Sequence, residues 1–383
     1  MKIAFLSIFA LDANISLINA LEKSNDVYFF IEALYEVSNF LDKDKLNKTI
    51  TCGTEVEDLQ RFKDFISLEK TYVVKGTRNI NILKKLYISY QINKYIKKIN
   101  PDVIILDSHM LTYFCTTLSY RKKMLMIVHD PFFHSGENLM IDRCLRKIHF
   151  KLIQDKILLN ENQKKEFINH YNFNPADIHT SFLSVYDFLK FHQTKKDNAS
   201  TQFNVLFFGR ISPYKGIKFL LDAFVEILSS KKISDMSLTI AGSGNFDFDI
   251  ESYKKYSEIT IFNDYIYPEN LANLIHQSSV VVCPYIDATQ SGVVMSAFAF
   301  KKPVIATNVG GLPEMVENNN TGIIIEPKSK EAIITALLTL YNDRDLLNKM
   351  SDNIEKLYFF GEKSWSHSAD LFLDACENIF QKQ

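Results

Sequence analysis

The sequence predicts an α/β protein of two Rossmann-like domains, and three observations carry that prediction. Short apolar, β-branched runs alternate with longer amphipathic segments, the pattern of parallel strands joined by crossover helices. At 383 residues the chain exceeds the usual range of one hydrophobic core. The alternation also restarts cleanly near the middle, so each half carries its own set of strands.

The first-half strand candidates are KIAFLSI, DVYFFI, TYVV, VIILDS, KMLMIVHD and KILLN. Those of the second half are NVLFFG (204–209), SLTIAG (237–242), ITIF (259–262), SVVVCPY (279–285), PVIATN (303–308) and GIIIE (322–326). Between the halves, residues 187–202 are polar, with the composition of an exposed linker. The expected boundary is near residue 195, giving an N-terminal domain of residues 1–195 and a C-terminal domain of residues 196–383 with a helical tail. That tail holds the only tryptophan, Trp365, read as a buried helix anchor.

Composition excludes several classes. With 46% hydrophobic and 23% charged residues the chain has material for two cores and no disordered tail. Five scattered cysteines without CxxC spacing support neither a disulfide framework nor a zinc site, and fit a reducing cytoplasm. The opening MKIAFLSIFAL superficially resembles a signal peptide but lacks a small-residue cleavage pattern, and reads as a first buried strand. No stretch approaches the ~18 apolar residues of a spanning helix, so any membrane association is expected to be peripheral, at the inner face. Residues 1–196 hold 28 Lys+Arg against 22 Asp+Glu, and residues 197–383 hold 16 against 23. The basic half, with Lys84-Lys85, Lys97-Lys98 and Arg121-Lys122-Lys123, suits an anionic membrane surface or acceptor; ordinary solvated faces are the alternative. No nucleic-acid partner is expected.

The strongest local signal is FFGRISPYKGIKFLLDAF, residues 207–224. A strand ends in Gly209-Arg210, Lys215-Gly216 follow, and an amphipathic helix begins. Such a turn brings two cations and free backbone N–H groups to a helix N-terminus, which is what a pyrophosphate requires. In PYIDATQSGVVMSAF, residues 284–298, Thr289, Gln290 and Ser291 occupy the expected cap and first turn, where they either face an anion or simply cap the helix. Gly310-Gly311 and Glu314 follow another strand and face the same crevice by the rule for open α/β sheets.

The ordered set GRISPYKG, IAGSG, YPENLANLIHQSSVVVCPY and SGVVMSAFAFKKPVIATNVGGLPEMVENNNTGIIIEP resembles retaining glycosyltransferase family 4, the glycosyl transferases group 1, over essentially the whole C-terminal half. The resemblance implies the GT-B fold, two Rossmann-like domains facing a central cleft, with donor in the C-terminal domain and acceptor on the N-terminal one. It assigns the donor diphosphate to Gly209, Arg210 and Lys215, and makes Tyr265, Ile266 and Tyr267 neighbours of the base. It places donor contacts at Thr289, Gln290, Ser291, Gly292 and Ser296. One departure is plain. The family commonly has glutamates eight positions apart where this chain has, aligned on Gly292, Thr289 and Ser296; Asp287 lies nearby.

The first loop, IFALDANIS, lacks the glycines of a dinucleotide fingerprint, which argues against a dehydrogenase. In MIVHDPFFHSGE, residues 126–137, a strand ends in His129-Asp130, followed by His134 and Glu137. By the resemblance His129 contacts the donor sugar as the catalytic candidate, with His134 or Glu137 nearer the acceptor; a structural His–Asp pair is the alternative. A metal site is not expected, because Pro131 disfavours continuous helical presentation of these residues.

The reading is thus a metal-independent enzyme without cofactor, moving a sugar from a UDP- or GDP-sugar to a glycan or lipid-linked hydroxyl acceptor, with retention, in cell-surface polysaccharide or glycolipid synthesis. The alternatives are a sugar-nucleotide epimerase of the same fold and a non-catalytic binding protein.

Overall fold

The computed structural model describes the chain except residues 8–10, 34–40, 77–81, 108, 130, 133–139, 195–201, 231–232, 234 and 289–290; at 11–13 and 140–142 only the backbone is described. It forms two compact units, residues 1–184 with 365–383, and residues 185–364.

The first unit is built on β1 (Lys2–Ser7), β2 (Asp26–Ala33), β3 (Ile50–Cys52), β4 (Thr71–Lys75), β5 (Val103–Leu106), β6 (Met124–Val128), β7 (Asp155–Leu158) and β8 (Ile178–Thr180). Their order is β3-β4-β2-β1-β5-β6-β7-β8, parallel except for β3 against β4. β1 and β5 are buried along almost their whole length, which is why they read as continuous apolar runs. The crossovers are α1 (Leu11–Glu22), α2 (Ile82–Ile99), α3 (Phe114–Tyr120), α4 (Met140–Leu152) and α5 (Lys164–Tyr171). Ile88, Ile92 and Ile96 recur at helical spacing on α2 and join Ile104, Leu106, Met126, Phe150 and Phe167 in one core cluster. The six first-half strand candidates appear as β1, β2, β4, β5, β6 and β7. The three-residue strands β3 and β8 were not among them, since runs that short carry no periodicity to read.

The second unit is a six-stranded parallel sheet of β9 (Phe203–Phe208), β10 (Met236–Gly242), β11 (Ile259–Asn263), β12 (Val280–Cys283), β13 (Val304–Thr307) and β14 (Gly322–Ile325), ordered β11-β10-β9-β12-β13-β14. All six predicted strands of this half are present. Its helices are α6 (Ile217–Ser229), α7 (Glu251–Lys254), α8 (Pro268–Gln277), α9 (Gly292–Ala299), α10 (Leu312–Met315), α11 (Lys330–Asn342) and α12 (Arg344–Glu355). From β9 the chain winds outward through β10 and β11, then returns to β12 on the other side of β9 and winds outward again. The switch point is therefore the crevice between the carboxyl ends of β9 and β12.

Two features of the expected domain division differ. The segment predicted as an exposed linker begins with a 3-10 turn, Asp187–His192, whose Phe188, Leu189 and His192 are buried within the second unit. His192 meets Glu269 at 3.1 Å, and Thr194 N–H donates to Asn273. The apolar content of DFLKFH outweighs its polar surroundings, so the division falls at Val185. The tail, expected to stay with the second half, returns to the first unit as α13 (Trp365–Gln381). Trp365 is buried, Ser368 bonds Ser181 and the carbonyl of Phe182, and Lys382 bridges Asp155 and Asp177 at 2.8 and 3.0 Å.

Candidate active site

Three loops at the carboxyl edge of the second sheet are laced together by their backbones. Gly209 N–H donates to Ala241 O, Ile211 N–H to Ser243 O, and Ile286 N–H to Tyr214 O. The lacing demands glycine. Gly216 has φ +64 in the left-handed region, and a Cβ there would collide with Pro284 O; a Cβ on Gly242 would collide with Gly209 O. A cavity of 600 Å3 opens on this edge, lined by Gly209, Arg210, Ser212, the turn 242–245, Tyr265 and Ile266.

Arg210 is exposed in the cavity wall. Lys215 lies at the end of a 3-10 turn, Pro213–Lys215, just before Gly216 and α6. Its Nζ is 3.5 Å from the centroid of the Tyr285 ring, which is fully buried. Burial lowers the Lys215 ammonium below the ordinary lysine range, Cys283 offsets this, and Arg210 adds to the lowering. The loops after β9 and β12 thus bring Lys215 and Tyr285 together at the switch point.

The other predicted residues divide. Tyr265 and Ile266 line the cavity, whereas Tyr267 is 63% exposed beside it, its ring edge-on to Tyr265 at 5.1 Å. Ser291 holds the N-cap position of α9 but makes no cap bond; it is buried, with its hydroxyl 3.3 Å from Tyr285 Oη. Gly292 opens α9, and Ser296 is buried within it. Gly310 adopts φ +51 and Glu314 is exposed on α10, after β13 on the same edge. Thr289 and Gln290 lie outside the described residues. Ser212 and the turn Gly242-Ser243-Gly244-Asn245 line the cavity without having been singled out as site residues, although the glycine pair after β10 was visible in IAGSG.

In the first unit His129 follows β6, one-third exposed, with Nε2 2.5 Å from Asp107 Oδ1. Asp107 is fully buried at the end of β5, where its other oxygen accepts from Ser7 Oγ at 2.8 Å and Asn14 Nδ2 at 2.5 Å. The sheet order places β1 beside β5, so Ser7 and Asp107 meet at this unit's own switch point. Asp107 was not anticipated from the sequence, where VIILDS gives only a strand end. Asp130, His134 and Glu137 lie outside the described residues.

Residues 202–343 match the family described as Glycosyl transferases group 1. The chain is 32% identical over 163 residues to YtcC of Bacillus subtilis, 40% of each chain. It is 26% identical over 279 residues to an uncharacterized glycosyltransferase of Haemophilus influenzae, 70% of this chain and 76% of that one. Among solved structures it is similar to a glycosyltransferase from Rickettsia africae, with TM-score 0.66, 18% identity and coverage of 100% and 99%. Anabaena HepE in complex with UDP gives TM-score 0.60 at 15% identity, covering 100% and 99%. A UDP-N-acetylglucosamine 2-epimerase gives 0.62 at 13%, covering 100% and 95%. Residues 202–343 are therefore a glycosyl transferases group 1 domain, and the chain carries them on two Rossmann-like units of the GT-B fold.

Proposed function

We propose that this enzyme moves a sugar from a UDP- or GDP-sugar to a hydroxyl on a glycan or lipid-linked acceptor, with retention of configuration, in the synthesis of cell-surface polysaccharide or glycolipid. The observation that carries the reading is the glycine-lined cavity at the carboxyl edge of the second unit's sheet, with Arg210 in its wall and Lys215 in the same loop. In this reading Arg210, Lys215 and the N–H groups at the start of α9 take the diphosphate, and Tyr265 and Ile266 adjoin the base. That charge neutralises the leaving group without a metal or cofactor, so activity is expected to survive exhaustive chelation. In this reading His129 is the candidate for contact with the donor sugar, and His134 or Glu137 for the acceptor.

A thermal-shift screen with UDP, GDP and their sugars tests the donor assignment. A ligand at 100 times its Kd stabilises by about 2.7 kcal/mol. No shift with any of them would remove the reading's foundation. Likeness to the 2-epimerase supports a second reading, conversion of the sugar nucleotide itself. Incubation with sugar nucleotide and no acceptor distinguishes the two: an epimer points to the second, and turnover only with acceptor to the first.

A further inference from the structure

The first unit contains a cavity of 780 Å3 at the edge of its sheet where β6 and β7 begin, the end opposite His129. Four cations come to it from two elements: Arg121 and Lys122 in the turn before β6, and Lys147 and Lys151 one helical turn apart near the end of α4. None of the four has an ion-pair or hydrogen-bond partner among the described residues. A fifth, Lys156, belongs to the wall and is 1% exposed. Its Nζ donates to Ile153 O at 2.7 Å and Gln154 O at 3.1 Å and lies 4.2 Å from the centroid of Phe173.

Among the described residues no carboxylate bonds this buried ammonium. Asp155 is engaged by His179 and Lys382, and Asp177 by Gln154 and Lys382. Burial pushes Lys156 down to about 8, which an added anion would reverse. Asp155 and Asp177, the latter in the cavity wall, attract Lys156 through space without bonding it, and a buried charge with no bonded counter-ion still costs free energy. The dipole at the end of α4 accounts in part for lysines in its last turns. It does not account for Arg121 and Lys122, which belong to another element, nor for Lys156 on β7.

We infer that this cavity is a second anion site, distinct from the donor site, taking a phosphate-bearing molecule whose phosphate meets the four rim cations and whose apolar part lies on Phe150 and Phe173. Four unpaired cations around one opening suit a group carrying more than one negative charge and several acceptor oxygens, which a phosphate offers and a carboxylate does not. The ligand is either a soluble organic phosphate or the headgroup of an anionic phospholipid.

Calorimetry with pyrophosphate, in roughly physiological salt, tests the site on four full-length proteins: wild type, R210A/K215A, K147E/K151E and the combination. The wild type should bind at two sites and each double variant at one. The combined variant should bind at least tenfold more weakly than R210A/K215A, because charge reversal replaces attraction by repulsion. Since Lys147 and Lys151 are exposed, the reversal should leave the fold in place and lower the melting temperature only slightly, by the lost interaction with the helix dipole. Co-sedimentation with phosphatidylcholine vesicles, with and without phosphatidate, distinguishes the sources. Binding to phosphatidate vesicles that K147E/K151E abolishes identifies a lipid headgroup, and pyrophosphate binding without it identifies a soluble ligand. The inference is overturned if R210A/K215A binds neither pyrophosphate nor phosphatidate vesicles, or if K147E/K151E leaves its binding unchanged.

Discussion

Both sheets reverse their strand order beside their first strand, yet the two switch points are filled in opposite ways. Between β9 and β12 Lys215 lies on the buried Tyr285 ring, beside a cavity whose loops are laced through glycines and whose wall holds Arg210. Between β1 and β5 the space is closed by a buried carboxylate that gathers Ser7, Asn14 and His129. One topology thus supports an open cavity edged by a cation in one unit and a fixed imidazole in the other. The strand order makes the crevice, and the side chains decide what it can hold.

The largest effect expected from breaking this contrast is on the cavity side. Arg210→Ala or Lys215→Ala should each lower kcat/KM with the true donor by about 10- to 150-fold, the worth of a charge-assisted hydrogen bond. Arg210→Ala should leave the melting temperature in place because its side chain is exposed, whereas Lys215→Ala, which loses the contact with Tyr285, should lower it modestly. Wild-type kcat/KM in either variant would reject the diphosphate assignment.

On the imidazole side, His129→Ala should bind the nucleoside diphosphate almost normally and transfer sugar at least tenfold more slowly, about 1.4 kcal/mol of barrier. Asp107→Asn keeps the shape but removes the charge that orients the ring, so its loss in kcat should be smaller, roughly three- to tenfold. Equal turnover in His129→Ala and wild type would leave the pair a purely structural one.

Next in size is the cost of the lacing itself. Gly216→Ala places a Cβ against Pro284 O at a left-handed φ and should destabilise the second unit by about 1–3 kcal/mol. Denaturant melts read this directly; an unchanged midpoint would mean the loop relaxes freely.

The smallest expected effect is a pH dependence. Because burial lowers the Lys215 ammonium, its charge is present at neutral pH and lost as pH rises, before an ordinary lysine would lose its own. Affinity for nucleoside diphosphate should therefore fall several-fold on the alkaline side. Lys215→Arg should flatten that fall, since a guanidinium stays charged. A parallel decline in both proteins would place the titrating group elsewhere.

Local chemistry made much of this protein legible in its sequence. Twelve of the fourteen strands among the described residues announced themselves as apolar, β-branched runs, most clearly β1, β5, β12 and β13, which are buried along almost their whole length and have no polar side to show. Arg210, Lys215, Tyr265 and Ile266 could be singled out because they lie within short, ordered motifs following a strand. Other features required the fold. Asp107 gains its meaning from Ser7, a hundred residues away, through the pairing of β1 with β5. Tyr285 meets Lys215 only because β9 and β12 are neighbours. The division at Val185 and the return of α13 to the first unit depend on which apolar surfaces find each other, as does the gathering of Arg121, Lys122, Lys147, Lys151 and Lys156 around one cavity. Local patterning records which side of an element is buried. It carries no label for the partner that buries it, and that choice belongs to tertiary packing alone.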